Sequence, residues 1–225
     1  IVADVLEDFA NQLEGSANLE EDIMKLVQKT IKDHERVIFN GNGYSDEWVA
    51  EAEKRGLPNV KTMVDAIPSM VDPVTVAMFE KHGVFSRAEL ESRAEIGYEI
   101  YAKDINIEAK TMLDMTGKLY IPAVVSYITS LADSINSVKA ASDKANVTVQ
   151  ESLLTKCSDL LAEVQAAQDA LAKVTAEAAS QGDEKAKAIM FKDKVIPAME
   201  ALRKPVDELE LLVDKDFWPV PAYSD

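Results

Sequence analysis

From Leu153 to Ala178, apolar or small residues recur in steps that alternate four and three without a fault: Leu153, Cys157, Leu160, Val164, Ala167, Leu171, Val174 and Ala178. Only an α-helix gathers that spacing onto one side, and a narrow seam of this length is buried only against other helices. At 1.5 Å per residue, a helix from Val149 to Ser180 is roughly 48 Å long, longer than a small domain is wide. The spacing therefore predicts either an up-down bundle or a projecting helical arm. Gly182 and Asp183 supply a tight stop and restart. The next stripe is Val195, Met199, Leu202, Val206, Leu209 and Val213, with Pro197 and Pro205 off it. A connection this short makes the two helices antiparallel neighbours.

The rest of the chain is legible through its helix boundaries. The opening pattern of Val2, Val5, Leu6, Phe9 and Leu13 reads as an amphipathic helix ending near Gly15. Asn18 and Glu21 form a capping box for a second helix with the stripe Ile23, Val27, Ile31 and Ile38. Asn40-Gly41-Asn42-Gly43 breaks it, and Ser45, Asp46 and Glu47 open a short helix bearing Trp48 that ends at Gly56 and Pro58. Residues 59–85 read as short turns, with Asp72-Pro73 as a helix start and Gly83 as a stop. From Ser86, capped with Glu89, helical composition continues to about Lys139; Gly117 and Pro122 interrupt it with a kink or a break between two helices. Thr148 and Glu151 predict a capping box for the heptad helix.

The fold class is therefore all-α: long antiparallel helices and a smaller irregular helical N-terminal part. Only 8 glycines and 8 prolines in 225 residues agree with few tight turns. Three parts follow: short helices and loops over residues 1–85, a long-helix bundle over 86–214, and an aromatic and proline tail over 215–225. The tail's Phe217, Trp218 and Tyr223 are too apolar to be left in water and must dock on this domain or on a partner.

Charge and sequence chemistry exclude several functions. With 24 basic and 40 acidic residues the formal net charge is -16, which repels phosphate backbones and anionic membrane surfaces. The longest mostly apolar run, Ile121 to Ile128, is far too short to span a bilayer. The one cysteine, Cys157, lies on the heptad seam, where a thiol packs as a small hydrophobe; a reducing cytoplasm fits. His34 falls on an apolar stripe and reads as a buried, hydrogen-bonded histidine, and His82 beside Gly83 as a cation at a helix C-terminus. Neither histidine sits in a Glu-x-x-His step, so a di-iron carboxylate bundle is excluded in its usual form. Asn40-Gly41-Asn42-Gly43 lacks the Gly-Lys-Ser/Thr ending of a phosphate loop, and the runs at Glu20-Glu21-Asp22 and Asp207-Glu208 read as solvated helix faces. No catalytic, cofactor or metal residue emerges. The remaining candidates are aromatics outside the heptads, Tyr44, Trp48, Phe217, Trp218 and Tyr223, which suit a subunit contact or a local core.

Several segments together resemble one family: residues 40–48 (Asn40-Gly41-Asn42-Gly43-Tyr44-Ser45-Asp46-Glu47-Trp48), Val84-Phe85-Ser86-Arg87-Ala88-Glu89-Leu90, Ile105-Asn106-Ile107-Glu108-Ala109 and Ile121-Pro122-Ala123-Val124-Val125. Arg203-Lys204-Pro205-Val206-Asp207-Glu208-Leu209-Glu210 and the closing Val213-Asp214-Lys215-Asp216-Phe217-Trp218-Pro219-Val220-Pro221 complete the set, in order along the chain. It resembles the C-terminal region of type III glutamine synthetase. The resemblance implies a bacterial cytoplasmic enzyme that joins ammonia to glutamate using ATP and a divalent metal, Mg or Mn, assembled as a double ring. The strands that carry its metal-binding carboxylates lie upstream of anything present here, so no catalytic position carries over. Ile1, already inside an apolar pattern, reads as a cut from something longer. The reading favoured is a helical accessory domain whose partners are its own catalytic domain and neighbouring subunits; a freestanding adaptor using the heptad arm, or a small independent enzyme, is the alternative.

Overall fold

Helices account for every regular element among the residues that the computed structural model describes, 1–221. The chain forms two compact units that divide between Arg87 and Ala88.

The first unit begins with α1 (Val2–Leu13) and α2 (Leu19–Asp33), which pack on one another. The Asn18 side chain accepts from the Glu21 amide, as its position before the apolar period predicts. α2 stops five residues short of Ile38. His34 is its C-cap, and a 3₁₀ turn at Glu35–Val37 follows, so neither His34 nor Ile38 extends the stripe. His34 is exposed, not buried as its spacing suggested. Ser45 caps α3 (Asp46–Lys54) by accepting from the Trp48 amide. After α4 (Met63–Ala66) and a 3₁₀ turn at Ile67–Met70, Asp72 caps α5 (Pro73–Lys81) at the Val74 amide. Val64, Ile67 and Val76 are this unit's buried apolar side chains.

The second unit is organised by a 55-residue helix that continues unbroken through Pro122. It comprises α6 (Arg87–Met115), a π-turn at Thr116–Tyr120, and α7 (Ile121–Ala141). Pro122 has no amide to donate, and its ring would strike a carbonyl one α-turn back. In the π-turn the Ile121 amide reaches five residues back to the Thr116 carbonyl, which widens the helix where the ring must fit. The same solution recurs later: α9 (Glu184–Met190) passes through a π-turn at Phe191–Val195 into α10 (Ile196–Glu210). Both π-turns run directly into Ile-Pro-Ala, at Ile121-Pro122-Ala123 and Ile196-Pro197-Ala198.

Between them lies α8 (Thr148–Ala179), packed on α7 and on α10. The heptad seam is the core. Cys157, Leu160, Val164, Leu171 and Ala178 are buried and meet a layer that includes Val124, Leu131, Phe191, Val195, Leu202 and Leu209. α8 is thus flanked along both sides and does not project as an arm. Two further expectations are corrected. The Thr148–Glu151 capping box does not form: Val147 is the N-cap and its side chain caps no amide, while Asn146 just before it makes an Asx turn, its Oδ1 accepting from the Thr148 amide at 2.9 Å and hydroxyl at 2.6 Å. That Asx turn leaves Glu151 free to pair with Lys139 at the end of α7. Pro205 lies on the core face of α10, because a ring without an N–H adds apolar surface that the bundle buries.

Candidate functional site

Asp214 folds the tail back. Its side chain accepts from the Asp216 amide, and its carbonyl accepts from the amides of Phe217 and Trp218. The two aromatic rings thereby meet the π-turn and α7. Trp218 stacks on Tyr120 with centroids 5.1 Å apart, and Phe217 meets Tyr127 at 5.7 Å. Both candidates are therefore spent within their own unit. Tyr223 lies outside the described residues.

Trp48 is likewise engaged locally. It stacks on Phe39 at 4.3 Å, and the Arg55 guanidinium lies 5.6 Å from the centre of its ring. Arg55 also pairs with Glu51 at 2.7 Å and donates to the Ile38 carbonyl at 2.9 Å. The cluster pins the loop after α2 onto α3. Gly41 is required there, since a Cβ would sit 2.6 Å from the Phe39 ring. Tyr44, four residues before Trp48, is fully exposed and apart from the cluster. Of the described candidates, Trp48, Phe217 and Trp218 are each engaged within their own unit and Tyr44 is exposed.

The surface that stands open is on α1 and α2, and its components were in view as stripes. Neither helix has a buried residue, although both are strongly one-sided. Leu6 is 61% exposed and Ile31 54%, and Val2, Val5, Ile23, Met24 and Val27 are also exposed. A stripe announces that a face will be covered, but not by what. The pair is held in place by charge at its edge: Asp4 of α1 binds Lys81 and sits 3.0 Å from His82 Nε2, while Glu7 lies 3.3 Å from Lys81. The Lys81 hydrogen bond, then the His82 one, hold the Asp4 carboxyl far below the usual carboxylate range.

Cys157 is wholly buried and burial pushes its thiol up, the opposite of an activated nucleophile. Among the described residues, no group of three or more His, Cys, Asp or Glu is placed to hold a metal ion, and no helix is long and apolar enough to cross a membrane.

A family model described as "Glutamine synthetase C-terminal domain" matches residues 22–139, more than half of the chain. The chain belongs to this family. The matched region starts within α2 and ends within α7, so the loop around Trp48 and the first π-turn are family territory. The chain is 34% identical over 207 residues to a glutamine synthetase of Butyrivibrio fibrisolvens, covering 92% of this chain and 30% of that protein. It is 35% identical over 208 residues to a type-3 glutamine synthetase of Dictyostelium discoideum, covering 89% of this chain and 28% of the relative. A glutamine synthetase of Bacteroides fragilis is 26% identical over 217 residues, covering 95% and 30%. The chain thus spans less than a third of the length of these relatives.

Proposed function

We propose that this chain is the helical C-terminal part of a larger glutamine synthetase, with a structural, oligomer-organising or regulatory role and no chemistry of its own. The whole enzyme would join ammonia to glutamate in the cytoplasm with ATP and Mg or Mn, in a multi-subunit ring. The observation that carries this reading is the uncovered apolar face of α1 and α2 in a chain under a third as long as its relatives. Exposed apolar residues at helical spacing on each of two packed helices are costly to leave in water and mark a contact. The absent two-thirds of such an enzyme supplies a partner that is always at hand. The alternative of a freestanding adaptor rested on an open heptad seam, and that seam is buried between α7 and α10.

The test uses Leu6→Lys and Ile31→Lys, each in this chain alone and in the complete reading frame. Alone, each variant unfolds within about 0.5 kcal/mol of the parent, as exposed positions do. In the complete enzyme, each lowers assembly, measured by sedimentation, and glutamine formation. Unchanged assembly and activity there would overturn the proposed contact. Removal of residues 88–221 from the complete enzyme tests the accessory role: assembly, stability and activity all unaltered would end it.

A further inference from the structure

The first π-turn has a consequence for the surface beside it. Where the helix swells at Thr116–Tyr120, α10 passes alongside and leaves a pocket of about 330 Å³, within the range of small-ligand sites. Met112, Met115 and Val206 form its apolar wall. Tyr120 also lines it, with its ring stacked on Trp218. Thr116 of the π-turn adds a hydroxyl, and the charged groups come from α10: Arg203, paired with Asp207 at 3.1 Å, and Glu210 one turn on, whose carboxylate makes no hydrogen bond or ion pair among the described residues.

We propose that this pocket binds a small amphipathic amine, an alkyl or aryl group carrying one ammonium. Water against thioethers and a valine makes few hydrogen bonds, so an apolar body displaces it favourably. The ammonium meets the Glu210 carboxylate, a charge-assisted partner that favours a cation over a neutral group. One cation against two carboxylates leaves the rim net negative, and a chain of net charge -16 draws cations toward it. The Tyr120 phenol registers the same environment: burial first, then Glu210 and Asp207, push its pKa up. This inference does not depend on the role proposed for α1 and α2.

The probe is phenethylamine, with 2-phenylethanol as its uncharged counterpart and phenylacetate as the anion, followed by NMR of methyl-labelled methionine in the full chain. Of the 8 methionines, only Met112 and Met115 line the pocket, so their signals shift saturably and the others stay. The amine binds at least about tenfold more tightly than the alcohol, and Glu210→Gln removes that margin while leaving alcohol binding unchanged. Met112→Phe, which fills the pocket, abolishes both. The proposal is overturned if Met112 and Met115 do not respond, if alcohol or phenylacetate binds as well as the amine, or if Glu210→Gln leaves the margin intact.

Discussion

Gln168 of α8 donates from its side-chain amide to the backbone carbonyl of Leu113, 3.0 Å away and 55 positions earlier in the chain. The bond ties α8 to the last turn of α6, beside the π-turn. It also accounts for Gly117, since a Cβ at that position would lie 3.1 Å from Gln168 Nε2. Gly117 is therefore a clearance residue, and the kink anticipated from Gly117 and Pro122 divides into two causes: room for Gln168 and a missing amide at Pro122.

A double-mutant cycle checks this. In a Gln168→Ala background, Gly117→Ala should stabilise the chain by up to about 1 kcal/mol, the ordinary helical preference for alanine. With Gln168 present the gain should shrink or reverse. Equal effects in both backgrounds, measured by urea unfolding, would show that the two positions are not coupled.

Leu160→Asp or Leu171→Asp should cost several kcal/mol, on the order of a core cavity plus a buried charge, because Leu171 is wholly buried and Leu160 nearly so. The same seam shelters Cys157. Its thiol should react with an aromatic disulfide reagent only at the rate of unfolding, and that rate should rise in the Leu160→Asp chain.

The start of α8 offers a test between two capping assignments. Asn146→Ala should cost about 1 kcal/mol through loss of the Thr148 amide's acceptor. Thr148→Ala should cost less, because its hydroxyl donates to Asn146 and caps no amide. Thermal unfolding of the two variants decides it; a larger loss for Thr148→Ala would restore the capping box.

The Asp4 cluster predicts a pH dependence with a definite sign. The folded carboxyl is held below its ordinary value of 3.8, so its stabilising effect is full above that pH and is lost as pH falls from there toward the folded value. Hydrogen exchange of α1 amides should therefore be faster in Asp4→Asn than in the parent at neutral pH. The difference should narrow as pH drops below 3.8. A difference that persists unchanged in acid would assign it to side-chain shape rather than charge.

Most helix starts in both units and the core seam of the second were legible, because local chemistry and long-range packing agree there. The heptad spacing of α8 names five of its six buried residues, Thr175 being the exception, and Asn18, Ser45, Asp72 and Asp183 cap the helices they precede. Reading fails where two local rules compete. At Thr148 the Asx turn of Asn146 wins over the capping box, and at His34 the helix ends before the stripe does. The candidate aromatics were visible as residues, but their use was not: the stacking of Trp218 on Tyr120 and the tilted contact of Phe217 with Tyr127 join positions far apart in the chain, which no local pattern encodes.

By itself the sequence determined that this protein is helical, where its long helices lie and which seam they share, because period, caps and proline act within a few residues of themselves. Only the tertiary structure decided what each face does. It closed the seam of α8 between two helices, turned Pro122 into a π-turn with a pocket beside it, and left the apolar stripes of α1 and α2 uncovered. Burial is a property of what stands opposite a side chain, and that partner lies far along the chain or outside it.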